Sequence, residues 1–181
     1  FGVAHATYTT FLTAALQEDR HFALGTAALL YSLMGVTNIV GGAVFGRASD
    51  ALGRKPLLIA GYALMLCCAA SVCYGPSILG GLSPLFYGLV MSGVPTVVTA
   101  FVYGSVPPDA TRVAYGAITL AVGVGNLAGP LIGGRLADAS GSFRTTYGMV
   151  ALTVIGAAAA ALISLRIGQR RDAVVPVPEL R

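Results

Sequence analysis

The sequence predicts an all-α membrane protein, a bundle of six transmembrane helices, and three observations carry that reading. Apolar residues fill 56% of the 181 positions and charged residues only 10%, with a mean hydropathy of +0.80. A soluble domain averages about 25% charged residues, so this chain lacks the polar material for a water-facing surface. The charges are also clustered, which leaves uncharged stretches at 22–46, 56–108 and 145–165. Crossing a hydrocarbon core of ~30 Å takes roughly 20 apolar residues in helical form. Finally, the apolar runs are continuous and rich in Ala, Leu and Gly, unlike the alternating segments of a lipid-facing β-barrel.

Six spans follow in order: 1–17, 22–46, 57–75, 78–104, 112–135 and 145–166, making one domain over 1–167 with a tail at 168–181. The first opens on Phe1 with no basic n-region, so it does not read as a signal peptide; the chain is expected to begin inside a longer protein. Polar Gln17–His21 closes it. Gly46–Pro56, basic and glycine-punctuated, closes the second, and Gly75–Pro76 is a turn signal after the third. Pro107–Arg112 and the small, polar Asp138–Arg144 supply the remaining breaks. Cys67, Cys68 and Cys73 share one apolar run and read as small buried residues rather than disulfide or metal chemistry.

The net charge of +4 has a simpler reading than nucleic acid. One side of the membrane receives eight basic residues (Arg47, Arg54, Lys55, Arg112, Arg166, Arg170, Arg171, Arg181) and the other three (Arg20, Arg135, Arg144). By the positive-inside rule the 46–56 and 105–112 connections and the C-terminal tail are expected in the cytoplasm. The tail is expected to be solvated.

The segment Gly46-Arg-Ala-Ser-Asp50-Ala-Leu-Gly53 repeats as Gly134-Arg-Leu-Ala-Asp138-Ala-Ser-Gly141, offset by 88 residues. Three crossings separate the copies, so they sit on opposite sides. Two inverted three-helix repeats are therefore expected, the arrangement by which many secondary transporters place a solute site between repeats. Glycine lets helix ends approach closely. Asp50 is expected against the N-terminus of the following helix, with Arg54 and Lys55 anchoring that helix at the surface.

Gly46–Lys55 resembles the signature loop of the major facilitator superfamily, G-x-x-x-D-R/K-x-G-R/K-R/K, departing from it at Ala51. Gly125-Asn-Leu-Ala-Gly129-Pro130-Leu-Ile-Gly133-Gly134 is similar to that family's glycine–proline motif. The likeness covers the chain to about residue 167, in the order of helices seven to twelve of a bacterial twelve-helix transporter. Leu82–Tyr147 looks most like bacterial monocarboxylate and organic-anion porters, although span 22–46 lacks the arginine usual in their eighth helix. The resemblance implies a multi-pass inner (plasma) membrane protein with a cytoplasmic C-terminus. It implies secondary active transport of a small-molecule substrate by alternating access, proton-coupled, as symport or antiport. It also places the third and sixth spans on the outside of the bundle.

Polar residues inside spans should face a cavity or a neighbouring helix rather than lipid. His5, Thr9 and Thr13 share a face of span one; Tyr31 and Asn38 a face of span two; Thr96, Thr99 and Tyr103 a face of span four; Thr119 and Asn126 a face of span five. These ten are the substrate-cavity candidates. His5, with a pKa near neutrality, doubles as a proton-coupling candidate, since no carboxylate lies deep in a span; otherwise the coupling acid belongs to an N-terminal half. Gly125, Gly129 and Gly133 are spaced for close packing on one face, and Pro130 frees a carbonyl four residues earlier.

An enzyme is not expected, for no nucleophile, acid–base pair or metal-ligand set is visible, and no cofactor is implied. A non-transporting receptor or scaffold is the alternative, as is a half-size transporter that self-associates. The expected partners are the lipid bilayer, the solute, protons, and the N-terminal half of the same transporter or a second copy.

Overall fold

The computed structural model describes the backbone of residues 1–174 and the side chains through residue 163; the end of the expected tail lies outside the described residues. The described residues form six helices: α1 (Gly2–Glu18), α2 (Leu24–Leu52), α3 (Arg54–Tyr74), α4 (Ser77–Ser105), α5 (Pro108–Ser140) and α6 (Phe143–Val174). Helices α2 to α6 are long and apolar enough to cross a membrane. Helix α1, with 17 residues, is about 26 Å long at 1.5 Å per residue.

The helices outrun the expected spans. Helix α2 continues through Gly46 and Arg47 to Leu52, and α5 continues through Gly134 and Arg135 to Ser140. Charged residues mark where a helix leaves the apolar layer, not where its hydrogen-bonded backbone stops. The stop comes from the last glycine of each repeat. Gly53 (φ 89°) and Gly141 (φ 66°) are the positive-φ glycines of the described backbone, in a region that side-chain-bearing residues avoid. Each donates its N–H back four residues, to Ser49 at 3.0 Å and to Ala137 at 2.8 Å. Helix α6 likewise runs past 167, into the expected tail.

The closest packing is α2 along α4 and α1 along α5; α3 lies against α4 and α6, and α6 against α1. Exchanging α1 with α4, α2 with α5 and α3 with α6 returns this same set. The crossings match at atomic level. A side chain on Gly2 would strike the carbonyl of Val122, and one on Gly88 that of Met34; one on Gly129 would strike Val3, and one on Gly41 would strike Leu89. Met34/Val122 and Gly41/Gly129 are each 88 apart, and Gly2/Gly88 and Val3/Leu89 each 86. From 41–53 and from 129–141 the order of buried, half-buried and exposed positions is identical. The bundle is thus two inverted three-helix repeats.

At its centre three tyrosines are fully buried: Tyr8, Tyr87 and Tyr147. The Tyr8 and Tyr87 rings stack with centroids 3.5 Å apart, and Tyr147 meets Tyr8 edge-on at 5.4 Å. Tyr147 donates its hydroxyl to the Tyr8 carbonyl at 3.0 Å. Pro84, inside α4, cannot donate to the Gly80 carbonyl, and the Ser83 hydroxyl does so instead at 2.9 Å.

Candidate functional site

A cavity of about 290 Å³ lies between the repeats, lined by Phe1, Tyr62, Val94, Pro95, Val98, Thr99, Tyr115, Ile118, Thr119 and Val122. It lies between the second half of α4 and the first half of α5, toward the end of the bundle that carries 46–56 and 105–112. Its lining offers three aromatic rings, branched aliphatic side chains and four hydroxyls, and no charged side chain. Such a surface accommodates an apolar molecule and orients it by a few polar contacts.

Of the ten cavity candidates, Thr99 and Thr119 are brought together here. Several candidate threonines, Thr119 among them, donate their hydroxyls within their own helix: Thr9 to the His5 carbonyl at 3.0 Å, Thr96 to that of Ser92 at 2.8 Å and Thr119 to that of Tyr115 at 2.9 Å. A threonine in a helix has this local outlet, so its presence in a span is weak support for a solute contact. His5 stacks on Phe1 with ring centroids 5.5 Å apart, and its buried Nδ1 has no hydrogen-bond partner. The buried Oδ1 of Asn38 has none either, while its carbonyl accepts from Ser92 Oγ at 2.6 Å. Asn126, Tyr31 and Tyr103 are exposed and Thr13 half-buried.

The repeat geometry gives these residues an order that spacing along single helices hid. Tyr31 and Thr119, and Asn38 and Asn126, are 88 apart on α2 and α5, and Thr13 and Thr99 are 86 apart on α1 and α4. Each pair is repeat-equivalent. Asn38 and Asn126 fall near the middle of their helices, so in an inverted repeat both belong near the bilayer midplane.

Tyr62 and Tyr115 were not among the sequence candidates. Tyr115 sits one turn before Thr119 on the same face, a signal that i, i+4 spacing could have supplied. Tyr62 lies on α3, the helix expected to stand outside; α3 is inserted far enough between α4 and α6 to reach the cavity. Cys67 is a further correction: it is exposed, whereas Cys68 and Cys73 are buried, all three as free thiols.

The motif residues fall in two places, inside α5 and at the ends of α2, α3 and α5. Gly125, Gly129 and Gly133 form the buried stripe of α5, against Gly2, Val3, Thr7 and Phe11 of α1. Helix α5 continues through Pro130, whose missing N–H leaves the Asn126 carbonyl free. Gly46 approaches Thr96 of α4. Asp50 does not cap α3: the N-cap is Gly53, with no side-chain hydrogen bond. Asp50 is still inside α2, where side chains tilt toward the N-terminus and away from α3. It is exposed, like its equivalent Asp138. The Arg54 guanidinium donates to the Ala100 carbonyl of α4 at 2.7 Å. Lys55 and Arg54 border a shallow groove with Phe101. Among the described residues no group of three or more His, Cys, Asp or Glu could hold a metal.

A family model described as Major Facilitator Superfamily matches residues 1–179. The tetracycline resistance protein, class D, of Salmonella ordonez is 35% identical over 117 residues, 62% of this chain and 28% of that protein. The multi-drug resistance efflux pump PmrA of Streptococcus pneumoniae is 27% identical over 124 residues, 68% of this chain and 31% of the pump. The efflux pump azaK of Aspergillus niger is 34% identical over 120 residues, 65% of this chain and 25% of the pump. The match spans under a third of each relative's length. No solved structure gives a significant match. The narrower likeness to monocarboxylate and organic-anion porters has no counterpart in these names.

Proposed function

The chain belongs to the Major Facilitator Superfamily, and from that premise we propose that it forms one half of a secondary active efflux transporter for an apolar, uncharged small solute. The observation that carries this reading is the cavity between the repeats, lined without a charged side chain, with the Thr99 and Thr119 hydroxyls among aromatic and aliphatic side chains. An anionic substrate would need a cation in the lining to offset its desolvation; an apolar one needs only what is there. The direction of transport is taken from the relatives, two of which are named efflux pumps and the third a tetracycline resistance protein. The end bearing 46–56 and 105–112 is cytoplasmic on this reading, so the cavity loads from the inside of the inner membrane.

Transport proceeds by alternating access against an N-terminal half of the same transporter, with protons as the coupling ion. His5, beside the cavity through its stacking on Phe1, is the titratable group that coupling would use within this half. The paired ends of α2 and α5, at Gly46–Lys55 and Gly134–Gly141, serve as the conformational elements. The Arg54 bond to α4 steadies the first of them.

The test is efflux of a neutral, membrane-permeant fluorophore from proteoliposomes under an imposed pH gradient. The expected result is gradient-driven movement that falls about tenfold in a Thr99→Val/Thr119→Val variant, the effect of losing ~1.4 kcal/mol of hydrogen bonding. Movement of an anion but not of the neutral dye would overturn the reading.

A further inference from the structure

The cavity has an equivalent place elsewhere in the bundle, and there it is filled. Its lining residues Phe1 and Val94 are each 86 positions from Tyr87 and Tyr8, their counterparts under the inverted repeat. Tyr62 of α3 has its counterpart in Tyr147 of α6, 85 positions on. Two observations fix that register. A side chain on Gly61 would meet the Phe45 ring, and one on Gly133 would meet Thr146. Phe45 and Gly133 are repeat equivalents, so Gly61 and Thr146 are as well. The buried positions 61, 62, 65 and 69 of α3 then fall on the buried positions 146, 147, 150 and 154 of α6.

Phe1, Tyr62 and Val94 therefore stand where the central cluster has Tyr87, Tyr147 and Tyr8. In the cluster, the Tyr8 ring stacks on Tyr87 with centroids 3.5 Å apart and meets Tyr147 edge-on at 5.4 Å. In the cavity the two receiving positions are still aromatic, as Phe1 and Tyr62, but the inserted ring is missing because Val94 replaces Tyr8. Two neighbouring side chains shrink as well. Leu12 and Met34, buried at the filled place, become Val98 and Val122 in the cavity wall. Protein interiors hold few voids larger than a water molecule. Three reductions beside two retained rings leave a space with the surroundings of an aromatic ring.

We propose, resting on the reading of this cavity as the solute's site, that it takes an aromatic ring of the solute in the place that Tyr8 fills in the cluster. The ring lies with its face to Phe1 and its edge to Tyr62, arrangements that add attraction beyond the area they bury. Space is sufficient: a cavity of roughly 150 Å³ holds benzene, and this one measures about 290 Å³. Tyr62 and Val94 are buried whereas Thr119 is exposed. The ring thus enters deepest, and a polar substituent on it points back toward the Thr119 hydroxyl, which can still accept a hydrogen bond.

Equilibrium binding of radiolabelled 2-naphthol to the protein in lipid nanodiscs tests this, with uptake by protein-free nanodiscs subtracted. Decahydro-2-naphthol, the saturated counterpart, serves as competitor. The expected result is saturable binding that the saturated compound displaces about tenfold less well than unlabelled 2-naphthol does. Tyr62→Leu should remove that preference and leave the affinity for decahydro-2-naphthol unchanged, an outcome that general loosening of the bundle would not produce. Val94→Tyr, which supplies the missing ring from the protein itself, should abolish saturable binding. If that variant does not fold, Val122→Met restores only the smaller filling residue and should weaken 2-naphthol binding severalfold. Equal displacement by the two compounds in the unaltered protein overturns the ring inference and leaves the cavity as the site of an uncharged solute. Saturable binding that persists undiminished in Val94→Tyr, or in Val122→Met, places the solute elsewhere and overturns both readings.

Discussion

The α2–α4 and α1–α5 crossings, each joining one helix of either repeat, are equivalent to one another and solve the same packing problem with opposite residues. In the first, Phe45 of α2 projects onto Gly93 of α4, where any side chain would collide with its ring. In the second, Gly133 stands at the position equivalent to Phe45, and Thr7 at the position equivalent to Gly93; Thr7 fills the space above the glycine. Large and small have changed places. Higher up, both crossings rely on glycine against backbone, Gly41 on Leu89 and Gly129 on Val3. What the repeat preserves is the separation of the helix axes, and with it the depth and facing of everything the helices carry. The identity of the residue that sets this separation is free to differ.

The largest effect should come from the shared contacts. Gly129→Leu and Gly41→Leu each place a side chain on a neighbouring carbonyl, with no flexible atom to yield, so both should cost several kcal/mol. Neither variant should yield monodisperse protein in size-exclusion chromatography; normal elution of one but not the other would break the equivalence. Next comes the swapped pair. Phe45→Gly should lower stability by about 3 kcal/mol through the void it leaves, and Gly93→Thr should lower it through collision with Phe45. The double variant, which gives the first crossing the composition of the second, should recover part of both losses in a thermal-unfolding double-mutant cycle. Simple additivity would mean the two crossings are not interchangeable.

The sequence carried the fold through its length of apolar helix, and the repeat through Gly46–Gly53 and Gly134–Gly141. It did so because glycine at a positive φ and small residues at a close approach leave a readable mark. The 86-residue register between α1 and α4 left no such mark: Gly2 and Gly88 are two glycines among twenty-four. Without it the equivalence of Thr13 with Thr99 could not be seen. Spacing found Thr99 and Thr119, since both lie on faces turned to the cavity. It missed Tyr62, because whether α3 reaches the cavity depends on its packing between α4 and α6, which no local pattern encodes. Asp50 shows the converse error, in which a plausible cap was placed without knowing that the helix still ran on beneath it.

A smaller effect separates the two asparagines. Asn38 is half-buried with an unpartnered oxygen, and its equivalent Asn126 is exposed. Asn38→Leu should therefore raise stability slightly by removing an unsatisfied group, by about 1 kcal/mol. Asn126→Leu should leave stability unchanged and lower the transport rate. Equal effects on both would remove the functional distinction between the arms. Smallest of all, His21 holds a positive φ of 58° in the α1–α2 connection, and His21→Gly should relieve up to about 1 kcal/mol of backbone strain, read as a slight rise in thermal midpoint.

The central claim is that an uncharged solute occupies the cavity between the repeats. Replacing Tyr115 by aspartate tests it most directly, in proteoliposomes under a fixed pH gradient, with a neutral dye and its permanently cationic analogue compared side by side. The account predicts that the unaltered protein moves the neutral dye in preference, and that Tyr115→Asp loses neutral transport and gains the cation. Unchanged selectivity with a charge at that position would place the solute elsewhere and contradict the account.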